Sequence, residues 1–211
     1  MLWIISGLLT SYLIGSIPTA YLFVRALAGA DIRKFGSGNV GATNASRLLG
    51  KKLGILILVL DVVKGLIPVV FIADFIIFKS STVFSPELLR ILFGFSAVVG
   101  HIWTVFLNFK GGKGMAAFLG VLLGLALKIS GLNIVLFLVL LTWVLIFIIS
   151  KIVSLASVIA ALCLPVYMAF FKRAPALILL SIVLSILIIL RHKSNLKRIF
   201  QGTEPKLFSK K

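Results

Sequence analysis

An all-α, polytopic helical membrane protein is the fold class this sequence predicts, and three observations carry it. Apolar runs of about 20 residues, the length that crosses a bilayer as a helix, recur along the whole chain. Hydrophobic residues make up 61% of the 211 and charged residues only 13%, outside the usual range of soluble domains. The 22 Lys and Arg, set against 5 Asp and Glu, collect in alternate connections, the arrangement expected when positive loops stay on the cytoplasmic side. Because the apolar residues come in unbroken runs and not in alternating segments, the backbone is satisfied within helices and not in a β-barrel. Residues 1–211 are therefore read as one integral-membrane domain with about seven transmembrane helices. Five or six full spans are the alternative, because the fourth is short and the cuts near Lys128 and Lys151 are tight.

Taken in order, the expected helices run Leu2 to Leu27, Leu53 to Phe78, Pro86 to Asn108, Met115 to Lys128, Leu132 to Ser150, Val153 to Phe171 and Pro175 to Leu190. The first has no basic region before it and is too long for a signal core, so it is kept as a helix. Pro18 and Pro68 predict kinks in the first two. In the second, Asp61 and Lys64 are three residues apart, on one face, where pairing makes their burial tolerable. A structural clamp that braces a nearby loop is the expected role.

Seven crossings put Arg25, Arg33, Lys34, Arg47, Lys51, Lys52, Lys110, Lys113, Lys151 and the tail from Arg191 to Lys210 and Lys211 on one side, leaving Lys79, Arg90, Lys128, Lys172 and Arg173 on the other. The N-terminus is then outside and the C-terminus cytoplasmic. A net charge of +17 in so apolar a chain speaks for this topology and for an anionic substrate, not for nucleic acid. Cys163 has no second thiol to pair with, and two His with five scattered acids do not compose a metal centre. No metal or cofactor is expected.

Four polar clusters fall on the inner side. The first, Gly36-Ser37-Gly38-Asn39-Val40-Gly41-Ala42-Thr43-Asn44-Ala45-Ser46-Arg47, has the composition of an anion nest: glycines that let backbone N–H groups converge, Asn, Ser and Thr donors, and an arginine fork suited to phosphate. A plain hydrophilic loop is the competing reading, and the density of phosphate-compatible groups favours a site. Gly36, Gly38 and Gly41 match the dinucleotide fingerprint by spacing, but that pattern has meaning only between a strand and a helix, and the flanks here are membrane helices. The second, Lys110-Gly111-Gly112-Lys113-Gly114, precedes a helix whose first amides point at a bound anion; it lacks the outer Gly and the Ser or Thr of a Walker A loop. His101, upstream among apolar neighbours, fits packing at least as well as chemistry. The third pairs Ser154 and Ser157 at a helix start, where Ser154 also suits an N-cap. In the fourth, Arg191-His192-Lys193-Ser194-Asn195, the side chains of His192 and Asn195 share a helical face at the membrane edge. A basic tail that binds anionic lipid explains the charge there but not the histidine.

Together these motifs resemble the membrane-integral bacterial acyl-phosphate:glycerol-3-phosphate acyltransferases. The likeness rests on Ser37-Gly38-Asn39-x-Gly41-Ala42-Thr43-Asn44-x-x-Arg47, Asp61-x-x-Lys64-Gly65, Gly100-His101 through Lys110-Gly111-Gly112-Lys113-Gly114, Ser154-Leu155-Ala156-Ser157, and Arg191-His192-x-x-Asn195 with Glu204 beyond. They occur in family order over essentially the whole chain. Thr104, Ala117 and Ile152 depart from the pattern, where Pro, Thr and an aromatic are expected. The resemblance implies transfer of a fatty acyl group from acyl phosphate to the 1-hydroxyl of sn-glycerol 3-phosphate, giving lysophosphatidic acid and phosphate, the first step of phospholipid synthesis, in the cytoplasmic membrane and with membrane lipid around it. It also implies a separate soluble acyltransferase that supplies the acyl phosphate, and no cofactor.

That chemistry suits these residues. An acyl phosphate is already activated, so the enzyme needs to align a hydroxyl with a carbonyl and hold charge, without a covalent intermediate. Ser37, Gly38, Asn39, Thr43 and Asn44 are assigned mainly to the acyl-phosphate group, and Arg47, Lys113, His192 and Asn195 mainly to glycerol phosphate, with Gly41, Lys110, Gly112, Ser154, Ser157 and Glu204 as further binding residues. Ser37, His192 and Asn195 are the catalytic candidates. The His-x-x-x-x-Asp motif of other glycerol-phosphate acyltransferases is absent, so either His192 or a substrate phosphate oxygen takes the hydroxyl proton. An organic-phosphate transporter and a lipid-binding scaffold are the rival classes; the first calls for inverted repeats that the halves do not show.

Overall fold

The computed structural model describes residues 1–80 and 83–206; Lys210 and Lys211 of the tail lie outside them. All regular structure among the described residues is helical, and it divides into two units, one ending at Lys128 and one beginning at Ile129.

The first unit opens with α1 (Leu2–Ser16) and α2 (Thr19–Ala28), which the sequence joins as one run and which separate at Ile17 and Pro18. Pro18 has no N–H to continue the ladder, and the break leaves carbonyls that other side chains collect. A 3-10 turn (Ile32–Lys34) leads to α3 (Ala42–Leu49), then α4 (Lys51–Ile67), a π turn (Pro68–Ile72) and α5 (Ala73–Lys79). α6 (Pro86–Ile102) starts on Ser85, whose side chain accepts from the Leu88 N–H at 3.2 Å, with Pro86 in its first turn. α7 spans Met115–Lys128.

Packing in this unit depends on backbones that approach closely. α1 lies along α6 and α4 along α7. A Cβ on Gly15 would land on the Ala97 carbonyl and one on Gly100 on the Tyr12 carbonyl; Gly65 and Gly120 stand in the same relation to Ala117 and Val62. Small residues that let helices touch are what membrane interfaces use when the hydrophobic effect between helices is weak. At one end of the unit Asp74 receives Lys128 at 2.6 Å and also pairs with Arg90, while Arg90 donates to the Val69 carbonyl at 2.8 Å within the π turn. The other end carries the loops at 31–50 and 103–114.

The second unit has α8 (Leu132–Ser150), α9 (Val153–Phe170), α10 (Pro175–Arg191) and α11 (Lys193–Phe200). α9 packs against α8, α10 and α11. α10 and α11 meet at a 60° bend.

Among the described residues, five helical segments are long and apolar enough to cross a membrane, and six if the bent α10–α11 pair is one span. The remaining helix of the sequence reading, α7, has 14 residues, about 21 Å, short of a hydrocarbon core of roughly 30 Å. Two boundaries differ from expectation. The third helix ends at Ile102, not Asn108, because the chain turns through a 3-10 turn at Val105–Leu107 and then takes positive φ at Asn108 and Phe109. The polar segment expected as a loop is helical from Ala42 onward.

Candidate active site

In the first unit the sequence-predicted residues 36–47 form a turn that feeds a short helix. Asn44 is its frame: buried, its amide donates to the carbonyls of Ile32 (3.3 Å), Phe35 (2.9 Å) and Asn39 (3.1 Å), and its oxygen accepts from the Ser37 N–H at 3.1 Å. Gly36 needs to be glycine on two counts, a φ of +57° and an absent Cβ that would strike Asn44 Oδ1. The amides of Gly38 and Gly41 bond to Phe35 and Asn39 carbonyls. A nest built from those glycine amides is therefore not what forms: the Ser37, Gly38 and Gly41 N–H groups are used inside the turn. What faces outward is the start of α3, where Gly41 is the cap and supplies no side-chain bond, so first-turn amides with Thr43 beside them suit an anion. Ser37 and Arg47 are exposed, Asn39 half-buried.

Just upstream, Asp31 caps the 3-10 turn and accepts from Arg33 Nε at 3.0 Å and Nη2 at 2.7 Å. These bonds and the Arg33 backbone N–H hold its carboxyl down to about 2, so the charge of this acid is already offset by its neighbour.

The 110–114 turn also spends its glycines on its own frame. Gly111 and Gly112 donate to the carbonyls of Ile102 and His101 at 3.1 Å each, closing the end of α6. Lys110 is exposed and Lys113 half-buried at the mouth of α7. A Cβ on Gly112 would strike His101 Nε2 and lie 2.8 Å from the Val40 carbonyl, so this turn abuts the first.

Beneath both turns is a small pocket whose polar lining includes Ser16, Thr19, Asp61, Lys64, His101 and Thr104. Lys64 and Asp61 pair across 2.7 Å, both buried, and Lys64 also donates to the Ile17 carbonyl at 2.7 Å. The expected clamp is present, and what it braces is the α1–α2 break. Thr104 assists by donating to the Ser16 carbonyl. Lys64 and Thr104 thus satisfy groups that Pro18 leaves without helical partners.

In the second unit the organising side chain is Glu204. Its Oε1 accepts from Ser154 Oγ at 2.7 Å and from Asn195 Nδ2, and its Oε2 accepts from Arg198 Nε at 2.7 Å. Burial pushes the carboxyl up, but the three hydrogen bonds and the Arg198 charge outweigh it and hold the group below its ordinary value of 4.5. Ser154 is thus no N-cap; Ile152 takes that position without a side-chain bond, and the serine hydroxyl ties α9 to the chain beyond α11. Ser157, one turn on, instead accepts from Trp143 Nε1 at 3.2 Å. His192 sits at the α10–α11 bend, buried, with Nδ1 2.8 Å from the Ile188 carbonyl. A carbonyl only accepts, so Nδ1 carries the proton there and the basic lone pair of the neutral ring lies on Nε2.

Sequence reasoning missed three of these partners: Arg198 on Glu204, Trp143 on Ser157, and Thr104 on the broken first helix. Only Arg198 left a trace, at i+3 from Asn195 within a basic run.

A family model described as glycerol-3-phosphate acyltransferase matches residues 5–202. The chain belongs to the glycerol-3-phosphate acyltransferase family. A glycerol-3-phosphate acyltransferase of Macrococcus caseolyticus is 40% identical over 204 residues, 97% of this chain and 97% of its own. One of Geotalea daltonii is 41% identical over 195 residues, 92% of each. Among solved structures, PlsY (YgiH), an integral membrane glycerol 3-phosphate acyltransferase, in its glycerol 3-phosphate form has a TM-score of 0.83 at 34% identity, covering 96% of this chain and 94% of that one. Its lysophosphatidic acid form gives 0.80 at 32%. The protein is accordingly an integral membrane acyltransferase of phospholipid synthesis.

Proposed function

We propose that the acyltransferase takes its acyl group from acyl phosphate and delivers it to the 1-hydroxyl of sn-glycerol 3-phosphate, and that the whole chain acts as one domain. The hydroxyl oxygen attacks the acyl carbon, the new C–O ester bond forms, and the bond from that carbon to the phosphate oxygen breaks, releasing inorganic phosphate. The hydroxyl proton goes to a base. The observation that carries this reading is the His192 geometry: with Nδ1 donating to the Ile188 carbonyl, the ring offers Nε2 as that base, and a phosphoric leaving group needs no protein nucleophile.

Ser37, Asn39 and Thr43 serve the acyl-phosphate group, with the α3 amides supporting them, while Gly38, whose amide donates to Phe35, shapes the turn. Arg47, Lys110, Lys113 and Asn195 serve glycerol phosphate. Asn44, Gly112 and Glu204 shape the surfaces that do so, and Ser154 and Ser157 anchor α9. The basic inner loops support a multi-pass protein of the cytoplasmic membrane with about seven spans, N-terminus outside, and the polar loops on the cytoplasmic side. A soluble acyltransferase that makes acyl phosphate is the expected supplier.

The test is product formation by the purified protein given labelled glycerol 3-phosphate. Acyl phosphate should yield labelled lysophosphatidic acid and inorganic phosphate in equal amounts, and an acyl thioester should yield neither. Turnover from the thioester alone would overturn the donor assignment. Absence of any product would return the transporter and scaffold readings.

A further inference from the structure

His101 is a buried, titratable side chain that the reaction does not use. It stands next to last in α6, and its ring reaches in two directions. Nδ1 is 3.9 Å from Asp61 Oδ1, the carboxylate held by Lys64 at 2.7 Å, and Lys64 in turn holds the Ile17 carbonyl at the α1–α2 break. Nε2 lies against Gly112, where a Cβ would overlap it and would sit 2.8 Å from the Val40 carbonyl. The His101 carbonyl accepts from the Gly112 N–H at 3.1 Å. Val40 directly precedes Gly41, the cap of α3, and Gly112 directly precedes Lys113. The imidazole is thus a rigid spacer between the Asp61–Lys64 pair, which is locked to the first helix, and the place where the two glycine turns meet.

We propose that His101 is a positioning residue that sets the distance between the 36–47 and 110–114 turns. The proposal rests on the reading that these turns hold the two phosphates. Its loss then misplaces both substrates together, while the proton acceptor His192 and the chemical activation of the donor are unchanged. Two features of the site favour this over simple filling of space. The ring presents polar atoms in a polar cavity, where an apolar replacement of equal volume leaves Asp61 and the turn without that bridge. The groups it spaces are backbone atoms of the turns, so a shift of the ring moves the binding loops and not only their side chains.

The experiment compares purified His101→Gln, His101→Asn and His101→Phe with wild type in steady-state phosphate release. His101→Phe and His101→Asn should raise KM for acyl phosphate and for glycerol 3-phosphate together and lower kcat/KM by about tenfold to a hundredfold, the scale of a displacement near 1 Å. His101→Gln, whose amide reaches the Nε2 position, should restore both KM values to within about threefold of wild type. A folded His101→Gln enzyme as impaired as His101→Phe, a fall in kcat at unchanged KM, or a change confined to one substrate would overturn the proposal. Should the Phe variant fail to fold, the Asn and Gln pair still decides, because both keep an amide and differ in reach. Wild-type release of phosphate tests the functional reading separately: its absence sinks that reading, whereas its presence with unchanged KM in the variants sinks only the role of His101.

Discussion

Asn44 and Ser37 belong to the same turn and carry opposite burdens. Asn44 is buried and satisfies four backbone groups, so Asn44→Ala leaves polar groups unpaired. It should lower stability by roughly 1–3 kcal/mol as well as activity, read by thermal unfolding in detergent and by phosphate release. Ser37 is exposed, and the bond that fixes it runs from its backbone N–H. Ser37→Ala should therefore keep the wild-type melting temperature and lose turnover; an equal loss of stability in both would show that the hydroxyl is structural. The His192 ring gives a third contrast. His192→Gln keeps a hydrogen-bonding side chain but no base, so kcat should drop by about a hundredfold or more. Near-normal kcat with raised KM would pass the proton to a substrate phosphate.

Among the elements, the α9 start is held from outside itself. Its N-cap has no side-chain bond, and the tie comes from Ser154 to Glu204, shared with Asn195 and Arg198. The folded carboxyl of Glu204 titrates below its ordinary value. The stability it adds is therefore complete above the unfolded pKa and is lost as pH falls through the folded one. Acid should loosen the α9 start only below about pH 4.5, seen as a lower protection factor against amide exchange at its first turn, and Glu204→Gln should show that looseness already at neutral pH. A protection factor that falls between pH 6 and pH 8 would contradict the clamp. α3 is the element the sequence did not disclose. Its eight residues are too few to hold a helix alone; packing against α4 holds it, and no local pattern announces a partner that lies beyond the next turn. The end of α6 was hidden for the related reason that Ile102 to Phe109 stays mostly apolar while the glycines at 111 and 112 pull the chain back onto its carbonyls.

For the molecule as a whole, the charge on alternate loops predicts sidedness. After Cys163→Ser, a cysteine placed at Lys79 or Lys172 should react with an impermeant thiol reagent in intact cells, and one placed at Lys52 only after lysis. The reverse pattern would invert the proposed topology and put the glycine turns outside. Within the first unit, Arg90 and Lys128 meet on Asp74, which agrees with the loop parity that assigned those two cations to one side.

Composition and run length by themselves determined the helical membrane class, because a backbone in lipid has few ways to satisfy itself. The motifs determined the family, since their order extends along the chain in both units. Tertiary structure alone decided which of the polar residues build the turns and the ties between elements. Asn44, Gly112 and Glu204 read like ligand contacts because polar and glycine residues look the same in sequence whether their partner is a phosphate, a carbonyl 12 residues away or a hydroxyl 50 residues away. The partner is a property of the fold.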